Sequence, residues 1–155
     1  MPNFAATWAQ ARFAELGNRV AGVYAANDGL ASGVLDAAIA ANVDPTPLAL
    51  TGRGASFAAI QNLLADRQLM TLYAPIKPEA VKAATLAVGL ASGKHPKAPD
   101  VMPASSGGSV PAFLLAPVVV TKANIKSTVV KDGFDSVAKI CTRAYAAQCA
   151  AAGIK

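Results

Sequence analysis

Three apolar runs in this chain end on polar or turn-forming residues, and those endings carry the chemistry. The stretch "AGVYAANDGLASG" stops abruptly at Asn27-Asp28 before a small-residue segment with helical spacing. A second run, Leu48 to Thr51, stops at Gly52 and leads into Arg53-Gly54, and a third, Leu69 to Tyr73, stops at Ala74-Pro75. Asn supplies a donor and an acceptor on one amide, Asp accepts only and Arg donates only. Such residues at strand ends either contact a ligand or act as plain cap and turn residues. Asp28 is placed to cap the helix that follows it. Tyr73 and Trp8 are core packers or flat surfaces for stacking.

Other chemistry finds little support. His95 is the single histidine. It lies in a Lys-His-Pro segment with no Cys or carboxylate at metal-ligand spacing, so no metal and no cofactor are expected. No G-x-S-x-G elbow occurs, and Glu15, Glu79 and the aspartates form no evident acid/base pair. "SSGGS", Ser105 to Ser109, lacks the lysine and the opening helix of a phosphate cradle and reads as linker. The chain is therefore read as a binder and not an enzyme.

The elements that position these corners follow from periodicity. Ala9–Leu16 reads as the end of a helix, and Val20–Ala26 as a buried strand. Leu30, Val34, Ala38 and Ala41 recur at helical spacing. Ser56 is placed to cap a helix carrying Phe57, Ile60, Leu63 and Leu64, and Pro78 suits the first turn of a later helix that Gly93 stops. Lys94–Gly108 reads as loop, Ala112–Val120 as an edge or crossing strand containing Pro117, Ser127–Phe134 as extended, and Val137–Ala152 as one final helix. The fold class is α/β: a parallel sheet with a β-α-β-α-β core, right-handed crossovers and flanking helices. In such sheets ligands lie beyond the carboxyl ends of the strands, where the three corners meet.

With 155 residues, 54% apolar and 15% charged, the chain is long and apolar enough for a real core. No run approaches the ~20 apolar residues of a membrane span. The net charge of +5 comes from scattered Lys and Arg with no aromatic interleaving, so no nucleic-acid partner is expected. The Met1 end shows no basic-then-apolar leader, which fits a cytoplasmic protein or a mature or truncated one. In one unbroken helix Cys141 and Cys149 would stand ~12 Å apart, too far to bridge, so a disulfide needs a turn between them; two buried thiols are the alternative.

"GVYAANDGLASG", "LTGRGASFAAIQNLL", "MTLYAPIKPEA" and "TKANIKSTVVKDGF" together resemble the periplasmic sugar-binding proteins of ABC importers, the xylose-binding-like branch of the type I periplasmic binding protein fold. The resemblance runs from about Trp8 to Phe134 and implies the C-terminal half of such a protein. It divides the chain into residues 1–76, the core of the C-terminal lobe, residues 77–111, helix and loop of the other lobe, and residues 112–155, a crossing strand and helical tail. It implies non-covalent capture of a small sugar outside the cell, periplasmic or extracellular, for a membrane permease. Asn27 becomes a sugar contact, with Arg53, Asp28 and Tyr73 as further candidates. The family usually has an acidic residue at the position of Gly54, and this branch a lysine at that of Ala74; their loss implies an altered ligand, or none. Exposed apolar edges imply self-association or pairing with a complementary half. A truncated or engineered α/β fragment without ligand function, and the effector-binding core of a LacI-type regulator, are the alternatives.

Overall fold

The computed structural model describes residues 2–155. In chain order the elements are α1 (Pro2–Leu16), β1 (Gly22–Val23), α2 (Asp28–Ala40), β2 (Ala49–Leu50), α3 (Phe57–Leu64), β3 (Thr71–Tyr73), α4 (Ile76–Ala91), β4 (Asp100–Pro103), β5 (Ser109–Ala112), β6 (Val118–Val120), α5 (Val137–Ile140) and α6 (Ala146–Ala151). They divide into two compact units. One runs to Tyr73 and resumes at Val118–Lys155; the other is Ala74–Pro117.

The first unit carries the alternating core. β1 and β2 pair in parallel, with Gly22 opposite Ala49 and Val23 opposite Leu50. β2 and β3 are laced by a parallel bridge between Arg53 and Leu72 and by hydrogen bonds from Leu69 N to Leu50 O (2.8 Å) and Leu72 N to Gly52 O (3.1 Å). β6 then joins β3 antiparallel, Thr71 opposite Val120. The β-α-β-α-β order is thus present, with one antiparallel strand beside it.

Two apolar clusters hold this unit. Ala5, Ala9 and Phe13 recur every four residues along α1 and are buried; Ala9 and Phe13 join Val34, Leu35 and Leu50 in the first cluster. Ile60, Leu63 and Leu64 of α3 meet Tyr73, Val120 and Ile125 in the second, which also takes Ile140, Cys149 and Ile154 from the tail. Ser56 caps α3 as expected, its Oγ accepting from Ala59 N at 3.2 Å.

Several expected elements differ. β1 is two residues long and half-exposed instead of a buried run, and among the described residues it pairs with β2 alone. Residues 113–117 are not strand; β6 starts after Pro117, which has no N–H to give a ladder. The expected extended piece at 127–134 is instead a helical turn, Lys126–Val130, that brings Ile125 and Val129 onto the core. A reciprocal cap between Thr121 and Asn124 starts the preceding turn. The final helix is broken between α5 and α6 by a bend at Cys141–Thr142 and a short turn, Arg143–Tyr145. That turn satisfies the condition for a disulfide: Cys141 and Cys149 are bonded, their Cα atoms 5.8 Å apart.

The second unit consists of α4 and a hairpin. Pro75 precedes α4, Pro78 lies in its first turn and Gly93 lies just past its end. The expected loop at 94–108 contains β4, which pairs antiparallel with β5. Gly107 and Gly108, at φ +86° and +80°, make the turn, where a side chain would be strained. Lys82 Nζ stands 5.1 Å from the Phe113 ring centre. No residue of this unit is buried.

Candidate ligand-binding site

The corners after β1 and β2 are fastened to each other by backbone. Asp28 N donates to Arg53 O at 3.0 Å, and Gly54 N donates to Leu72 O at 2.8 Å. Thr51 Oγ1 accepts from Ala25 N at 3.3 Å. Asn27, Arg53 and Gly54 therefore lie on neighbouring strand ends, and Tyr73 ends the third strand of the same unit.

Asn27 performs the capping expected of Asp28. Its Oδ1 accepts from Leu30 N at 2.9 Å, and its backbone is extended, at φ −154° and ψ 167°, as a cap residue requires. Its amide nitrogen makes no hydrogen bond among the described residues, so a donor is left at a half-buried strand end.

Asp28 is instead a buried clamp, 3% exposed. Its Oδ1 accepts from Thr71 Oγ1 at 2.7 Å and Gln68 Nε2 at 3.3 Å, and its Oδ2 accepts from Ser56 N at 2.7 Å. One carboxylate thus joins the start of α2, the cap of α3 and β3. A buried carboxylate is tolerated when its oxygens are supplied with donors in this way. The inward turn follows from position: one residue past the cap, the side chain points back under the strand ends and away from solvent. Thr71 Oγ1 extends the network by accepting from Ala55 N at 3.1 Å.

Arg53 is exposed and contributes backbone to the bridge with Leu72. Gly54 has φ +125°, a region glycine favours. Tyr73 is buried with its ring 5.0 Å from that of Phe134, so it turns into the core; burial raises its phenol pKa above the usual value, and nearby Asp132 adds to the rise. Trp8 lies on α1, 56% exposed, and lines a shallow depression with Tyr24, Ala25 and Ala26, just before the Asn27 corner.

Sequence reasoning missed Gly52, Ser56 as a partner of Asp28, Gln68 and Thr71. A Cβ on Gly52 would fall 2.2 Å from Asp28 Oδ1, so only glycine admits the clamp. Thr71 is the polar residue inside an otherwise apolar strand, a signal that a buried acceptor needs a hydroxyl. Gln68 Oε1 is buried without a hydrogen-bond partner among the described residues. Among the described residues no three His, Cys, Asp or Glu side chains gather as a metal site, and no helix is long and apolar enough to cross a membrane.

The architecture is found in known proteins. A carbohydrate transporter solute binding protein from Chloroflexus aurantiacus, solved in complex with D-glucose, matches with a TM-score of 0.76 and 29% identity over 89% of this chain and 41% of that one. The fold is part of a type I periplasmic binding protein. Within that class the chain is homologous to D-xylose-binding periplasmic proteins. It is 41% identical over 117 residues to that of Escherichia coli (strain K12) and 42% identical over 118 residues to that of Haemophilus influenzae. Each match covers 76% of this chain and 35% of the relative, so the chain spans about a third of their length. No protein-family model matches the chain.

Proposed function

We propose that this chain is a portion of the solute-binding component of an ABC transporter, and that it captures a small sugar non-covalently in the periplasm or outside the cell for a membrane permease. The observation that supports this most is the fastening of Asn27-Asp28 to Arg53-Gly54 at adjacent strand ends. Sugar hydroxyls need a partner for each buried O–H, and such a corner offers the Asn27 amide and the Arg53 guanidinium. Asp28 holds the corner in shape, and Tyr73 supports it from the core. The act is binding without turnover; the relatives named above are transport proteins, which favours this over a transcription regulator.

Isothermal titration with D-xylose, D-ribose and D-glucose tests the reading. Heat of binding to at least one, weakened about fivefold or more by Asn27→Ala, is expected, since a single directed hydrogen bond is worth about 1 kcal/mol or more. No heat across a pentose and hexose panel overturns capture by this chain.

A second reading is an α/β fragment without ligand function. It draws on Gly54 and Ala74, which supply neither the acid nor the lysine of the resemblance, and on Ala74–Pro117, where no residue is buried. Under either reading the exposed apolar surface calls for self-association or a complementary portion.

A further inference from the structure

We propose that Thr71 is a positioning residue for ligand capture: its buried hydroxyl holds the turn of residues 53–56 in a backbone conformation that the turn does not keep unaided, and so fixes Arg53 beside Asn27. This deepens the capture reading above and rests on it.

The turn after β2 passes through two consecutive residues with positive φ, Gly54 at +125° and Ala55 at +49°. Glycine takes such angles freely; alanine is opposed by its Cβ. Ala55 is also fully buried, packed in the second apolar cluster. A non-glycine residue stays in this region only where its surroundings over-determine it, a condition typical of ligand clamps. Here the surroundings are three hydrogen bonds from distant parts of the chain. Gly54 N donates to Leu72 O at 2.8 Å, Ala55 N to Thr71 Oγ1 at 3.1 Å and Ser56 N to Asp28 Oδ2 at 2.7 Å. Three successive N–H groups are thus held by β3 and the start of α2. All these residues belong to the first unit.

Thr71 is central to this arrangement because its hydroxyl works in both directions. It donates to Asp28 Oδ1 at 2.7 Å, which commits its proton and leaves a lone pair for Ala55 N. Thr71 is fully buried, so bulk water does not stand in for the hydroxyl once it is removed. Valine would fill the same space and offer no acceptor. Ala55 N–H would then be buried unpaired, and nothing at that atom would oppose relaxation of its φ. The disturbance has a short way to travel: Arg53 O accepts from Asp28 N at 3.0 Å, and Asn27 is the residue before Asp28. Both proposed contacts therefore depend on the turn. A binding-competent turn that is only fractionally populated weakens affinity by that fraction.

Isothermal titration with D-xylose, D-ribose and D-glucose tests this on variants whose folding is checked by circular dichroism. Thr71→Val should bind about tenfold or more weakly than the wild-type chain. Thr71→Ser, which keeps the hydroxyl, should bind close to wild type. Val129→Ala, a cavity in the second cluster away from the turn, should lower stability and leave affinity unchanged. Ala55→Gly added to Thr71→Val should recover part of the lost affinity, because glycine holds a positive φ without help. In the wild-type chain the amides of Ala55 and Ser56 should exchange as slowly as those inside α3, a measurement that needs no variant and decides the matter if Thr71→Val does not fold. A folded Thr71→Val that binds as wild type, a Val129→Ala that loses as much affinity, no recovery with Ala55→Gly, or fast exchange at Ala55 overturns the proposal. No heat from the wild-type chain overturns the capture reading itself, and the positioning role with it. Heat from the wild-type chain that Thr71→Val leaves unchanged overturns the positioning role alone.

Discussion

Helices α3 and α4 invite comparison because both are apolar on one side and built from similar residues. α3 has 8 residues and buries Ala59, Ile60, Leu63 and Leu64; α4 has 16 residues and buries none. The shorter helix is held by β3, β6 and the tail; the longer one shares its compact unit with the β4–β5 hairpin. A lone helix of this length, or a lone two-stranded hairpin, is marginal in water. Apolar periodicity therefore makes a helix capable of burial, and a covering layer makes it buried.

The sharpest way to break this comparison is truncation on each helix. Leu63→Ala should cost about 3 kcal/mol in urea unfolding, the usual penalty for a buried leucine, whereas Val88→Ala should stay within ~0.5 kcal/mol. Equal losses would mean that α4 is covered in solution.

The Asp28 clamp should come next. Asp28→Ala leaves the buried Thr71 hydroxyl without its acceptor, strips the Ser56 N–H of its partner and leaves Gln68 Nε2 with Met70 O alone, and should cost about 2–3 kcal/mol by the same measurement. Gly52→Ala, which drives a methyl group onto Asp28, should cost about 2 kcal/mol alone and little more when added to Asp28→Ala. Full additivity would show that the two residues do not act through each other.

Reduction of the disulfide ranks third. Releasing a loop of sequence separation 8 should lower stability by about 2.5 kcal/mol on the chain-entropy account. The effect should appear in unfolding of the first unit, with α4 amide exchange unchanged.

The smallest expected effect is on pH dependence. Burial, then Asp132, raises the Tyr73 pKa above the ordinary 10.0. The unfolded state therefore loses its proton first as pH rises. Stability from the neutral phenol is complete below about pH 10 and falls as pH climbs through the raised folded pKa. Tyr73→Phe should flatten that alkaline slope; an unchanged slope would place the titrating group elsewhere.

The three strands, the helices between them and the corners at Asn27-Asp28 and Arg53-Gly54 were legible because each rests on local signals: apolar runs, helical spacing, glycine and proline stops, and small polar residues at helix starts. The tail was misread for the same reason. Val137–Ala152 has helical composition throughout, and nothing local marks the bend that lets Cys149 return to Cys141. Ser127–Phe134 carries β-branched residues suited to a strand, yet Ile125 and Val129 reach the core only as a helical turn. At the site, the sequence offered Asn27 and Asp28 as a polar pair without separating their work. Capping depends on which residue keeps an extended backbone, and that depends on how the corner meets Arg53.

By itself, then, the order of residues determined a βαβαβ chain with polar corners after its strands, because propensity, spacing and capping act over a few neighbours. Tertiary structure alone decided that Asp28 would be buried among Ser56, Gln68 and Thr71, that Tyr73 would face Phe134, and that α4 would remain uncovered. Each of these outcomes depends on groups distant along the chain, whose meeting costs conformational entropy that only the assembled layers recover.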